Sequence, residues 1–199
     1  MKIITTTGYK GGVAKTTTAI HLAEYFSDFG RTILIDHDPN KSAVKWYERT
    51  EGLKFEVVDD KFPVKKTVGC DYILFDLPAN PDSEDIKAIA RDADLLILPT
   101  APTRISYEPL FDMLSLIDAS KARILITLVP RAPNKSGSET LQEMQEEGMP
   151  VFETLIRQST GYDNAHKAGK TIRHAPDLNQ RLFWDDYRMI GEQIRGAIK

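Results

Sequence analysis

Two lysines and two threonines set among glycines are the residues best suited to chemistry: GYKGGVAKTT, positions 8–17. A phosphate-binding loop is commonly written G-x-x-x-x-G-K-[ST]. Gly8, Lys15 and Thr16 fit that spacing, but Ala14 stands where the second glycine belongs and Lys10 is extra. Successive N–H groups from Gly11, Gly12, Val13, Ala14 and Lys15 can turn inward around an anion. A following helix would aim its positive end at the same point. Lys15 then brings charge to the β- and γ-phosphates, and Thr16, with Thr17 beside it, brings a hydroxyl to Mg²⁺. Ala14 suits a right-handed turn; a positive φ would cost it backbone freedom. Acids complete the set. Asp36 and Asp38 follow the apolar run TILI, and Asp76 follows YILF. An acid in such a place can hold Mg²⁺ through water, or simply cap a turn.

These residues need elements that bring them to one edge. KIITTT (2–7) reads as a strand, followed by the glycine loop and a helix from Lys15 to Phe29 with Gly30 as its stop. TILID (32–36), KFEVV (54–58), YILFDLP (72–78), DLLILPT (94–100) and RILITLVP (123–130) read as further strands, with a short one near 150–156. Helices are expected over 41–50, 83–91, 106–119 and 138–147. Over 179–198, Leu182, Phe183, Tyr187, Ile190, Ile194 and Ile198 recur at helical spacing. Apolar strands alternating with helices predict an α/β fold with a mostly parallel central sheet and helices on both faces. A single domain over 1–199 is expected. In such sheets the loops at the carboxyl ends of the strands carry the ligand, and the chemical residues here all fall at those ends.

KGGVAKTT resembles the deviant Walker A motif, K-G-G-x-x-K-[ST], of the ParA/MinD family of P-loop ATPases. That pattern needs no glycine at Ala14 and requires Lys10. ILIDHDPN is similar to the family's D-x-D-P-Q motif, with Asn40 replacing glutamine in a way that also suits a helix N-cap. YILFDLPA looks like its Walker B strand. The resemblance implies ATP and Mg²⁺ as cofactors and ATP hydrolysis as the activity. It implies a homodimer formed with ATP, in which Lys10 reaches the partner's nucleotide, as an arginine finger would. Asp38 would position the attacking water, Asp36 would sit near the Mg²⁺ shell, and Asp76 would hold Mg²⁺ through water. RILITLVPRAP is similar to the strand whose exit loop lies by the adenine, which makes Pro130 and Arg131 base contacts or, equally, an ordinary turn. AHKAGKTI and RLFWDDYRMIGEQI resemble the family's C-terminal segment and last helix.

Net charge −3 argues against a basic nucleic-acid binder as a whole, but residues 153–199 hold eight basic against six acidic side chains. Arg157, Lys167, Lys170 and Arg173 lie there with only Asp163 against them, and His166 and His174 beside them. Doubled in a dimer, such a patch could grip double-stranded DNA without reading sequence. The resemblance implies this too, along with an adaptor (ParB-like, ribbon-helix-helix or McdB-like) and a plasmid as the broader expected cargo, a carboxysome close behind. It places the protein in the cytoplasm on the nucleoid. No signal peptide is visible, and no apolar run approaches the ~18 residues that span a bilayer. A MinD-like membrane ATPase is the alternative, but it needs a basic amphipathic tail that MIGEQIRGAIK supplies poorly. A synthetase of the same fold would not need Lys10. An iron–sulfur reductase would need more cysteines than Cys70 alone.

Overall fold

Every second residue of a strand faces the same side of its sheet, and here both sides are apolar. The computed structural model describes residues 1–198, without the side chain of Val64. Its elements run β1 (Lys2–Gly8), α1 (Lys15–Phe26), β2 (Thr32–Asp36), α2 (Ser42–Tyr47), β3 (Glu56–Asp59), β4 (Tyr72–Ala79), α3 (Ser83–Asp92), β5 (Leu95–Thr100), α4 (Arg104–Tyr107), α5 (Pro109–Ser115), β6 (Ala122–Ile126), α6 (Ser136–Glu146), α7 (Thr160–Lys167), α8 (Leu178–Arg181) and α9 (Trp184–Ala197). The six strands form one sheet in the order β3-β2-β4-β1-β5-β6, and all its pairings are parallel.

Ile4, Leu34, Leu74, Ile97 and Leu125 send one face of the sheet under α1, α2 and α9, against Leu22, Phe26, Trp46, Ile190 and Ile194. Leu96, Leu98, Ile124 and Ile126 face the other way, under α3 to α6, against Ile86, Leu110, Met113 and Met144. Ile33, Ile35 and Ile73 share that second face with Cys70. Each such side chain contributes about 1.5–3 kcal/mol by leaving water. Helix α9 can lie close on α1 because residue 191 is glycine; a Cβ there would come within 2.3 Å of the Tyr25 ring.

The elements differ from expectation where local chemistry overrides periodicity. The expected helix 106–119 begins earlier and breaks into α4 and α5, because Pro109 cannot continue a helix but can start one. Helix α1 ends at Phe26, before Gly30. Gly30 is required instead by the Asp71 carboxylate, which a Cβ would meet at 2.4 Å and which accepts the Arg31 N–H at 2.8 Å. The expected strand near 150–156 is reduced to isolated bridges, Ile124 to Val151 and Val129 to Arg157. The final amphipathic stretch splits at Leu182, which is exposed, while Tyr187, Ile190 and Ile194 are buried. Among the described residues no helix is long and apolar enough to cross a membrane.

Candidate nucleotide site

The loop between β1 and α1 makes a cradle from two left-handed residues, Gly12 at φ 75 and Ala14 at φ 62. Glycine accepts that region freely, whereas alanine there costs roughly 1–2 kcal/mol. The right-handed turn expected for Ala14 is therefore not what the loop adopts. Ala14 is also the N-cap of α1 and has no side-chain acceptor to offer, so the helix start faces outward as a site for an anion. The loop is pinned from behind by a residue that belongs to no motif. Buried Thr127, just after β6, donates its Oγ1 hydrogen to Val13 O at 3.1 Å, shared with Thr100 O at 3.1 Å.

Lys15 is only 8% exposed, and its Nζ donates to Lys10 O at 2.9 Å. Burial pulls its pKa below the usual lysine value, while Asp76 and Asp38 act to raise it. The ammonium is thus preplaced inside the loop. The Lys10 side chain is different: no ion pair or hydrogen bond within the described residues holds it.

The acids divide into distinct roles. Strand register sets Asp36 and Thr6 on either side of Asp76. Asp76 is fully buried, and neither of its carboxylate oxygens has a hydrogen bond; nor does the Thr6 hydroxyl. Burial pushes its pKa up to about 7; the Thr16 hydroxyl and Lys15 restrain the rise, and Asp36 and Asp38 add to it. Thr16 lies near enough to have that influence but short of good hydrogen-bond geometry. Orphaned buried oxygens beside a lysine and a threonine fit a divalent cation, which would neutralise the carboxylate. Among the described residues no group of three or more His, Cys, Asp or Glu converges on a metal.

A pH dependence follows. Folding raises the Asp76 pKa from 3.8 to about 7, so the folded chain holds an extra proton and stability falls as pH rises through that window. Without metal, Asp76→Asn is expected to stabilise the protein at pH 8 by roughly 2–4 kcal/mol and to flatten the decline. Urea unfolding in EDTA at pH 5 and 8 reads both; a variant no more stable than wild type at pH 8 contradicts the assignment.

Asp36 is fully buried, and both of its oxygens take part in holding the backbone; one acceptor site on Oδ1 stays open toward the site. Oδ1 accepts the Asp38 N–H at 3.0 Å, and Oδ2 accepts the Ala43 and Val44 N–H groups at 2.9 and 3.2 Å. Asp36 caps α2 and shapes the loop that presents Asp38. Asn40 is accordingly not the N-cap: that position is Lys41, at φ 49, and the accepting oxygen is Asp36's. Asp38 is half-buried; its Oδ1 accepts the Asn40 N–H at 2.8 Å, and Oδ2 has no hydrogen bond among the described residues.

Two clefts concern the candidate site, and one of them touches the loop. Pro130 and Arg131 line one of about 380 Å³ with Gln158, Ser159, Thr160 and Asp163. The other, of about 320 Å³, runs from Thr16 and Thr17 past His21, Ser42 and Trp46 to Tyr162, Asp163, His166 and Lys170. Asp163 lines both.

The CobQ/CobB/MinD/ParA nucleotide binding domain family matches residues 4–172 of this sequence. The chain belongs to that family. The maintenance of carboxysome distribution protein A of Gloeobacter kilaueensis is 30% identical over 97% of this chain and 94% of its own. The chromosome-partitioning ATPase Soj of Thermus thermophilus is 27% identical over 96% of this chain and 94% of its own. The solved structure of apo McdA from Cyanothece matches with a TM-score of 0.73 at 18% identity, covering 100% of both chains, a likeness of fold. The family's description makes the loop part of a nucleotide-binding domain, and a solved Cyanothece McdA variant of the same fold, 18% identical with a TM-score of 0.71, is a complex with ATP.

In this ParA/MinD-type chain the four basic residues of the C-terminal quarter do not form one free patch. Arg157 is locked to Asp186, itself 6% exposed, by contacts of 2.7–3.0 Å, and it donates to Leu182 O at 3.1 Å. Its guanidinium also lies over the Phe183 ring at 4.8 Å. Arg173 pairs with Asp28 at 2.5 Å and covers the Trp184 ring at 5.2 Å. Both of these candidate DNA-surface residues are held by partners far away in sequence. Lys167 and Lys170 remain exposed, with no ion pair among the described residues.

Proposed function

We propose that this chain is an ATP-driven positioning protein. ATP closes two copies into a sandwich dimer that holds double-stranded DNA without reading sequence. An adaptor speeds hydrolysis, the dimer lets go, and carboxysomes are thereby spread over the nucleoid in the cytoplasm. The observation that carries this reading is the Lys10 side chain, set in the phosphate loop with no ion pair or hydrogen bond among the described residues. The similarity across nearly the whole chain to a protein named for carboxysome distribution supports that cargo over a plasmid. The 27% identity to a partition ATPase supports DNA as the track.

Hydrolysis follows from the arrangement. Lys15 and the amides of Gly11 to Lys15 hold and orient the phosphates. Asp38, presented by the Asp36-anchored loop, orients water in line with the terminal phosphorus. Mg²⁺ held by Thr16 and Asp76 would neutralise charge on the transferring group. Lys10 from the second copy stabilises the charge that grows on it. The base lies toward Pro130 and Arg131. The MinD-like alternative loses support because the apolar face of α9 is buried on α1.

DNA binding is assigned to Lys167 and Lys170. Arg157 and Arg173 are left out of the test because they hold Asp186 and Asp28 in place. With a non-hydrolysable ATP analogue, the Lys167→Ala, Lys170→Ala double variant should bind DNA more weakly and lower the slope of log affinity against log salt by about 2–4 for a dimer. An unchanged slope moves the DNA surface elsewhere. A fluorescent fusion that follows plasmid foci rather than carboxysomes would select partition as the task.

A further inference from the structure

Two helices that begin at the nucleotide site both reach one short segment, residues 165–172. From α1, the link is His21, one turn beyond Thr17 and buried. Its Nδ1 lies 2.6 Å from Thr17 O, and its Nε2 lies 2.9 Å from the Ile172 amide nitrogen. A carbonyl can only accept and an amide N–H can only donate, so the proton sits on Nδ1 and the ring is neutral. Burial, the largest influence, holds its pKa down at about 4. Tyr187 stacks on the ring at 4.7 Å and Tyr162 meets it edge-on at 5.4 Å, which leaves the ring little room to turn.

From α2 the link is a close contact. Helix α2 is capped at its start by Asp36 and followed by Arg49. Arg49 Nη2 donates to His166 Nε2 at 3.0 Å, and Trp46 stacks on the same imidazole at 6.5 Å. Gly169, at φ 63, lies directly on the Arg49 carbonyl; a Cβ there would come within 2.1 Å of that oxygen. Lys167 and Lys170 sit between these two attachments.

We propose that His21 is a positioning residue that couples nucleotide occupancy at Thr16 and Thr17 to the placement of Lys167 and Lys170, with the Arg49–Gly169 contact as the pivot. The bridge has one hydrogen bond at each end and an aromatic clamp in the middle. A ligand that shifts the first turn of α1 moves Thr17 O, and the ring carries that shift to Ile172. What the two lysines do rests on the DNA reading above; the coupling itself does not.

The test is hydrogen–deuterium exchange of peptides spanning 166–174, with and without Mg²⁺ and a non-hydrolysable ATP analogue. In the wild type the nucleotide should slow exchange there by about ten-fold. His21→Phe keeps a ring and its stack but neither hydrogen bond. It should bind the analogue within about three-fold of wild type, yet its segment should no longer respond. A purely structural role would change the resting exchange rate and leave the response intact. His21→Gln, whose amide can both donate and accept, should restore the response. If His21→Phe does not fold, Arg49→Ala on the exposed side of the same segment should weaken the response instead. A wild-type segment that ignores nucleotide, or a folded variant that responds as wild type does, overturns the proposal. DNA retention on the same samples reports separately: a responding segment without DNA binding keeps the coupling and removes the DNA reading.

Discussion

Lys15→Ala is expected to give a folded chain that binds Mg²⁺-ATP at least about 100-fold more weakly than wild type. The ammonium it removes is nearly buried and already fixed on Lys10 O at 2.9 Å. Its desolvation has therefore taken place before any ligand arrives, and the charge acts on phosphate in a low-dielectric loop. A hydrogen bond to a charged group is worth about 1.5–3 kcal/mol, and this group makes more than one such contact with a triphosphate. The folded state should not suffer, because deleting a buried lysine also removes its desolvation cost. Titration with a fluorescent ATP analogue, beside a thermal melt, separates the two effects. Wild-type affinity in a folded Lys15→Ala variant would place the nucleotide elsewhere.

Lys10→Ala is expected to do the reverse. Its side chain has no ion pair or hydrogen bond among the described residues, so both fold and ATP affinity should stay within about three-fold of wild type. Adaptor-stimulated hydrolysis should fall by about 10²–10³, because a cation supplied in trans is worth at least that much in phosphoryl transfer. The contrast between the lysines, five residues apart in sequence, separates this reading from a synthetase that would run without Lys10. A Lys10→Ala variant that turns over normally supports the synthetase.

The sheet was legible because strands buried on both faces are written as unbroken apolar runs, as in Leu95–Thr100. The loop and its acids were legible because their types and order are unusual. What the sequence could not show is which oxygen is free. Asp36 and Asp76 look alike after an apolar run, yet three amides hold the first and none reaches the second. Arg157 reads as a surface cation until Asp186, 29 residues later, folds back on it. Ala14 reads as permissive until its φ is known. Thr127 and His21 carry no local signal, since each acts on a backbone group brought near only by the fold.

On the proposed function, each active site needs Lys10 from the other copy. The direct measurement mixes two inactive variants, Lys10→Ala and Asp38→Ala, in equal amounts with ATP and adaptor. In a mixed dimer the Lys10→Ala copy keeps its own Asp38 and receives Lys10 from its partner, so one of its two sites is whole. Random pairing makes about half the dimers mixed, and the mixture should recover roughly a quarter of wild-type hydrolysis. Activity no greater than the sum of the two variants alone would show that Lys10 serves its own chain, and the account of a nucleotide-completed dimer would fall.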